Sequence, residues 1–166
     1  MAILVTGGAG FIGSHFVLDW LAQHDEVVIN FDKLTYAASL HHFDHLREDP
    51  RYVFCQGDIV DHVKMQSLLL RYKPTSVVHF AAESHVDRSI SGPVDFIQTN
   101  IVGTFYLLEA VKAYWLTLAP SAREAFRFLQ VSTDEVYGSL HMTDAPFTEA
   151  HRYEPNSPYS ASKAAS

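Results

Sequence analysis

Apolar residues follow two different spacings along this chain, and the two alternate from one end to the other. Short runs rich in β-branched and aromatic residues are typical of buried strands, and they occur at 2–6, 26–32, 51–58, 76–82 and 126–132. Between them, apolar residues recur every three or four positions, as on a helix, at 12–24, 63–72 and 93–115. Strands that alternate with helices form parallel sheets through right-handed crossovers. The pattern therefore predicts a doubly wound α/β fold with a parallel sheet.

The longest helical stretch, from about Pro93 to Trp115, has one regular apolar stripe. Its members recur at helical spacing, and they are Ile97, Ile101, Phe105, Leu108 and Val111. We predict a single long helix here.

The last residues of the chain predict the start of one more helix. Ser157 suits the N-cap position, and Pro158 suits the first helical position. The sequence stops at Ser166, before any C-cap signal. Since no interdomain linker is visible, we expect one domain over 1–166, cut within a helix that begins near 158, as the N-terminal portion of a longer protein.

The segment TGGAGFIG lies between the first strand and the first helix, and it spaces Gly7, Gly10 and Gly13 as GxxGxxG. Glycine permits the tight turn and lets backbone N–H groups approach a pyrophosphate at the helix N-terminus. A flexible strand–helix turn would contain the same glycines. The context between strand and helix, with an acid at the end of the second strand, favours dinucleotide binding.

That acid, Asp32, is placed to hydrogen-bond the adenosine ribose 2′-hydroxyl and to repel a 2′-phosphate. It predicts NAD rather than NADP, although the adjacent Lys33 weakens this preference. After the third strand, GDI places Asp58 and Ile59 where the acid would face the adenine amino group and the isoleucine would pack on the ring. The alternative is a turn in which Asp58 caps the next helix.

The segment YSASK places Tyr159 and Lys163 four residues apart on one helix face, which permits direct side-chain contact. An ammonium group beside a phenol lowers the pKa of the phenol, and the helix N-terminus acts in the same direction. Many surface helices contain this pattern. Downstream of a dinucleotide motif and a series of strands, it predicts that Tyr159 serves as a base.

The segment VSTDEVYG places two acids, Asp134 and Glu135, side by side at the carboxyl edge of the fifth strand. Adjacent carboxylates repel each other, and a turn needs only one of them. The alternatives are a turn with two solvated acids or a pair that performs acid–base chemistry.

Composition limits the classes of partner. A net charge of −7 argues against nucleic acid or an anionic membrane as the main partner, and no apolar run reaches the length of a membrane span. The chain has one cysteine, Cys55, which excludes an internal disulfide framework and suits a reducing cytoplasm. Because Cys55 lies in an apolar strand, we expect it to be a small buried apolar residue. His41, His42, Asp44 and His45 form a cluster, but nothing else here calls for a metal, and we predict none.

Taken together, the motifs resemble the extended short-chain dehydrogenase/reductase family, whose signatures are TGxxGxxG and YxxxK. More narrowly, the sequence resembles the dTDP-glucose 4,6-dehydratases. The matching segments span nearly the whole chain, and they are VTGGAGFIGSH, DKLTYA, AAESHVDRSI, TNIVGT, STDEVYG and SPYSASK. Such enzymes are longer, so the resemblance implies that a C-terminal substrate lobe is absent from this chain.

The resemblance implies an NAD-dependent lyase of deoxysugar biosynthesis that dehydrates dTDP-glucose to dTDP-4-keto-6-deoxyglucose. Tyr159, helped by Lys163, would take the proton of the C4 hydroxyl while hydride passes from C4 to NAD. Glu135 would then remove the C5 hydrogen, and Asp134 would protonate the departing C6 hydroxyl before hydride returns to C6. Mutual repulsion of the two carboxylates helps to keep one protonated and the other ionised.

Other positions take binding roles by the same resemblance. Thr133 would hydrogen-bond the region of the C4 hydroxyl, and Ser84 would touch the substrate. The implied NAD-binding residues are Gly7, Gly10, Phe11, Ile12, Gly13, Asp32, Lys33, Leu34, Thr35, Asp58, Ile59, Phe80, Ala81, Ala82, Glu83, Ser84, Thr99, Tyr159 and Lys163.

Two alternatives stay open. A sugar-nucleotide 4-epimerase or decarboxylase of the same family would share most motifs, although epimerases usually have small residues at positions 134 and 135. The second alternative is a non-catalytic NAD-binding fragment, because we expect the truncated chain alone to be inactive. The resemblance also implies a homodimer, built by the helix near 99–115 and the helix that starts at Tyr159.

Overall fold

The structure, a computed structural model, describes residues Met1–Ser166. Its strands are β1 (Ala2–Thr6), β2 (Val27–Asp32), β3 (Tyr52–Gln56), β4 (Ser76–His79) and β5 (Arg127–Gln130). Its α-helices are α1 (Phe11–Gln23), α2 (His62–Tyr72), α3 (Val86–Ser91), α4 (Pro93–Phe96), α5 (Thr104–Thr117), α6 (Pro120–Ala125) and α7 (Pro158–Ala165). Two 3₁₀ helices (His41–Leu46, Asp134–Tyr137) and a π-helical segment (Ile97–Gly103) complete the elements.

All strand pairs are parallel, and the strand order is β3-β2-β1-β4-β5. This confirms the predicted doubly wound α/β fold of the Rossmann type. The order reverses direction between β1 and β4, and in such sheets ligands bind outside the carboxyl ends of the strands at this switch point.

The chain divides into two compact units. The first unit comprises Met1–Ala81 and Tyr106–Val131, and it contains the whole sheet. The second unit comprises Ala82–Phe105 and Ser132–Ser166. That 1–166 acts as one NAD-binding domain stays a prediction.

In the first unit, each face of the sheet has its own core, because successive strand residues point to opposite faces. On one face, strand residues cluster with side chains of α2 and α5, and the cluster includes Leu4, Ile29, Val77, Met65, Leu69, Leu107 and Val111. On the other face, strand residues cluster with α1 and the first 3₁₀ helix, and the cluster includes Ile3, Val5, Val28, Val17, Leu21 and Phe43. Helices therefore cover both faces.

In the second unit, α7 contacts α3, α4, the π-helical segment and the 3₁₀ helix Asp134–Tyr137. Ser157 is the N-cap of α7, as predicted: its hydroxyl accepts from the Ser160 N–H at 3.0 Å, and the Ser160 hydroxyl accepts from the Ser157 N–H at 3.0 Å. The Tyr159 N–H donates to the Ser89 hydroxyl at 3.1 Å. These contacts fix the first turn of α7.

The predicted helix over 93–115 is helical throughout, but it is not one regular α-helix. Its i→i+5 segment, Ile97–Gly103, changes which residues share a face. Of the predicted stripe, Val111 is buried, whereas Phe105 is 56% exposed and Leu108 is 41% exposed. The buried positions include Phe96, Asn100, Gly103, Thr104 and Leu107.

Cys55 is partly buried, not fully buried as predicted; it packs against the apolar core, and burial raises the pKa of its thiol. Asp44, in the histidine cluster, pairs with Arg47 at 2.7 Å and with His41 at 3.4 Å.

None of the helices combines the length and the apolar composition that crossing a bilayer requires.

Candidate functional site

The turn between β1 and α1 is held close to the sheet by glycines. Gly7 has φ +72°, and its N–H donates to the Phe31 carbonyl at 2.9 Å. A Cβ atom on Gly7 would lie 2.5 Å from the Ala81 nitrogen, and a Cβ atom on Gly13 would lie 2.3 Å from the Gly7 oxygen. Packing within the protein therefore requires glycine at positions 7 and 13.

Gly10 differs from the other two glycines of the motif. A Cβ atom there would come no closer than 3.4 Å to any neighbouring atom, the Gly7 oxygen. The next two side chains project outward, since Phe11 is 77% exposed and Ile12 is 62% exposed. The first N–H groups of α1 have no partner within the helix. This turn can therefore receive an anionic ligand at the backbone of residues 10–12.

At the end of β2, Asp32 is 8% exposed and ties together two turns. Its carboxylate accepts from the Ala9 N–H at 2.9 Å and from the Leu34 N–H at 2.8 Å, one bond on each oxygen. Leu34 has φ 61°, which is rare for a leucine and is stabilised by this bond. Each carboxylate oxygen keeps a further lone pair, so Asp32 can still accept from a ribose hydroxyl.

Lys33 and Asp58 form an ion pair beside Asp32, with 2.6 Å between Nζ and Oδ2. Thr35 is exposed nearby in sequence. Ile59 is 4% exposed and belongs to the apolar core, which leaves it little surface for an adenine ring. The N-cap of α2 is Asp61, which accepts from the Lys64 N–H at 3.0 Å, so Asp58 does not cap that helix.

At the end of β4, the Phe80 N–H donates to the Thr6 carbonyl at 2.9 Å, and the Phe80 ring lies 5.3 Å from that of Phe16. Ala81 follows, against Gly7. The first unit thus brings the glycine turn, the Asp32 segment and the Phe80–Ala81 segment together at one edge of the sheet.

In the second unit, Thr133 begins the 3₁₀ helix that holds both acids. Its hydroxyl accepts from the Glu135 N–H at 3.3 Å. The Asp134 side chain is exposed and Glu135 is half-buried. Tyr159 is 9% exposed and Lys163 is 7% exposed on α7.

The surroundings of Tyr159 and Lys163 shift the pKa values of both side chains. Burial raises the pKa of Tyr159, the charge of Glu135 raises it further, and a hydrogen bond with Thr133 lowers it. Burial lowers the pKa of Lys163. The expected lowering of the Tyr159 pKa is therefore wrong, because desolvation outweighs the effects that favour phenolate. Tyr159, Thr133 and Glu135 nevertheless form one interacting group.

The remaining predicted residues of the second unit lie around Asn100, whose importance the sequence did not reveal. Asn100 is 1% exposed; its Oδ1 accepts from the Glu83 N–H at 2.8 Å, and its Nδ2 donates to the Glu83 carbonyl at 2.9 Å. Nδ2 also donates to the Ser162 hydroxyl at 2.8 Å. The segment Ala82–Ser84, with Ser84 exposed, is thereby fixed to α7 through Asn100.

Asn100 lies in the π-helical segment beside Thr99, which is half-buried. A buried polar residue inside an apolar helical stretch was the available signal. The roles assigned to the individual residues of both units stay predictions.

The chain is 55% identical over 163 residues to the curated dTDP-glucose 4,6-dehydratase of Neisseria gonorrhoeae, covering 98% of this chain and 47% of the relative. It is 57% identical over 163 residues to that of Xanthomonas campestris pv. campestris, with 98% and 46% covered. The chain therefore spans about half the length of the curated relatives it matches.

Solved structures of related enzymes are also similar to this chain. A dTDP-glucose 4,6-dehydratase from Streptomyces venezuelae with NAD bound has a TM-score of 0.87 and 45% identity, over 99% of this chain and 49% of that one. A Thermus thermophilus UDP-glucose 4-epimerase in complex with NAD has a TM-score of 0.82 and 33% identity, over 99% and 48%. Residues 4–166 match the family described as GDP-mannose 4,6 dehydratase. The chain belongs to the GDP-mannose 4,6 dehydratase family.

Proposed function

We propose that the protein is an NAD-dependent lyase that dehydrates dTDP-glucose to dTDP-4-keto-6-deoxyglucose. The observation that supports this most is that the 3₁₀ helix with both acids contacts α7, which carries the buried Tyr159. Thr133 accepts a hydrogen bond from the Glu135 N–H, and both residues act on the pKa of Tyr159. A base for oxidation beside a carboxylate suits a reaction that oxidises one carbon and removes a proton from the next.

The first unit has the features of a dinucleotide site. Gly10 leaves room at the N-terminus of α1, and Asp32 retains acceptor capacity for a ribose hydroxyl. The relatives solved with NAD support the same cofactor. NAD held there would accept hydride from C4 and return it to C6, so the reaction has no net oxidation.

The chain's own residues would divide the proton transfers. Tyr159 takes the proton of the C4 hydroxyl, helped by Lys163, which lies one turn further along α7. The resulting ketone acidifies C5, from which Glu135 removes a proton; Asp134 gives a proton to the C6 hydroxyl, which leaves as water. When hydride adds to C6, the protonated Glu135 would return its proton to C5. Thr133 holds the region of the C4 hydroxyl, and Ser84 contacts the substrate. Asp134 is exposed, as a group that must meet substrate requires.

The full-length protein is also proposed to be a cytoplasmic homodimer. The support is an exposed apolar surface along the helical region 93–117, where Ile97 is 47% exposed and Phe105 is 56% exposed. Surfaces of this kind commonly mark protein–protein contacts.

The test is incubation of the full-length protein with dTDP-glucose, followed by measurement of the alkaline absorbance of a 4-keto product. We expect absorbance to rise with time, with no added oxidant. Inversion at C4 of a sugar nucleotide, without that absorbance, would instead identify a 4-epimerase. Bound NAD with no change in any sugar nucleotide would identify a non-catalytic binding module.

A further inference from the structure

Asn30, in the middle of β2, is a fully buried amide with a fixed orientation. It is 0% exposed, and its Nδ2 donates to the Tyr52 hydroxyl at 3.1 Å. The Tyr52 ring stacks on Phe43 with 4.9 Å between centroids, and burial raises the pKa of Tyr52 to about 12. Since Tyr52 holds the nitrogen end, the oxygen end of the Asn30 amide points the other way.

The oxygen end points at the glycine turn. Asn30 Oδ1 has no hydrogen-bond partner, and a Cβ atom on Gly8 would lie 2.3 Å from it. An unpaired buried acceptor is costly, so its retention calls for a reason. The hydrogen that glycine has in place of a side chain is directed at this oxygen, which is the arrangement of a weak C–H···O contact.

Gly8 is not one of the glycines of the GxxGxxG motif, yet it lies between two residues that are bonded to the end of β2. The Gly7 N–H donates to the Phe31 carbonyl, and the Ala9 N–H donates to Asp32, each at 2.9 Å. Each of the three successive turn residues 7–9 therefore contacts one residue of the β2 segment 30–32. The middle residue, Gly8, is the one that contacts Asn30.

We infer that Asn30 is a positioning residue of the dinucleotide site: its amide oxygen sets the height of the glycine turn above the sheet, and it is the reason why position 8 is glycine. The inference rests on the proposed dinucleotide binding. It assigns Gly8 to a contact within the protein and leaves Gly10 as the glycine that faces the ligand.

The test is a double-mutant cycle in the full-length protein, with NAD affinity and melting temperature measured for each variant. Gly8→Ala is expected to weaken NAD binding by at least about tenfold and to lower the melting temperature, because the methyl group displaces the turn from Asn30. Asn30→Ser shortens the side chain and keeps a hydroxyl near Tyr52. In the combined variant, most of the loss in both quantities should be recovered.

Gly10→Ala is the matched control, since its methyl group would come no closer than 3.4 Å to the nearest protein atom, the Gly7 oxygen. Asn30→Ser should not restore NAD binding to Gly10→Ala. The inference is overturned if Gly8→Ala is equally harmful with and without Asn30, or if it is harmless. Should the unmutated full-length protein bind no NAD, the proposed function fails, while the melting temperatures still decide whether Asn30 and Gly8 are coupled.

Discussion

Gly10 and Gly13 are chemically identical, but the structure gives them different reasons for being glycine. A Cβ atom on Gly13 would lie 2.3 Å from the Gly7 oxygen, whereas one on Gly10 would lie 3.4 Å from it. Gly10→Ala should therefore keep the melting temperature and lose NAD affinity by at least about tenfold. Gly13→Ala should lower the melting temperature. Thermal unfolding and NAD titration of the two variants check this, and tight NAD binding by Gly10→Ala would contradict the ligand-facing role.

The pKa of Tyr159 leads to a prediction about pH. As a base, Tyr159 works in its phenolate form, which is populated above its pKa. Burial raises that pKa and the charge of Glu135 raises it further. Glu135→Gln removes the charge, so the pH at which NADH formation reaches half its maximum should fall.

This is measured by rapid mixing of the full-length protein with dTDP-glucose over a pH series. Asp134→Asn is the control, because Asp134 is not among the groups that shift the Tyr159 pKa. An equal shift in both variants, or a shift to higher pH in Glu135→Gln, would contradict the proximity of Glu135 to Tyr159.

At the scale of elements, the π-helical segment fixes α7 through Asn100. Asn100→Ala leaves the Glu83 N–H and carbonyl and the Ser162 hydroxyl without this partner. Loss of buried hydrogen-bond partners costs about 1–3 kcal/mol in the free energy of unfolding. Gln98→Ala, at an exposed neighbouring position, should cost much less. Urea unfolding of the two variants compares them, and equal stability would mean that Asn100 is not a structural link.

Most elements follow from local signals in the sequence, but the π-helical segment does not. The five strands and the cap at Ser157 were predictable, because apolar runs and capping residues act locally. Asn100, inside the i→i+5 turns, bonds Glu83 and Ser162, which lie 17 and 62 positions away in the sequence, and no local pattern reveals such contacts. A regular helical stripe therefore put Phe105 and Leu108 on the wrong face.

The site could be predicted only in part, for the same physical reason. Glycine spacing, Asp32, the acid pair and YxxxK are readable because each is a short local pattern. Asn30, in β2, lies close to Gly8, in the turn after β1; the two residues are 22 positions apart, and only the fold brings them together. Desolvation likewise depends on burial, which is why the direction of the Tyr159 pKa shift was not predictable from Lys163 alone.

At the scale of the whole molecule, the 166-residue chain should self-associate or be poorly stable. Phe105 is 56% exposed and Leu108 is 41% exposed on one helix, with further apolar residues nearby. Phe105→Glu should shift the chain towards monomer, whereas Gln98→Glu, with the same change in charge at an exposed polar position, should not. Sedimentation velocity measures this, and a cooperatively melting monomer of the unmutated chain would contradict the expectation.

The most direct test of the proposed dehydratase concerns the acid pair in the full-length protein. Asp134→Asn combined with Glu135→Gln keeps side-chain size but removes both titrating protons, and it leaves Tyr159 and the glycine turn unchanged. On rapid mixing with dTDP-glucose, this variant should form enzyme-bound NADH and release almost no product, since losing acid–base help typically costs ~10²–10⁴-fold. Tyr159→Phe should instead suppress NADH formation itself. Near-normal turnover by the double variant would mean that the two carboxylates are only turn residues, and it would contradict the dehydratase function.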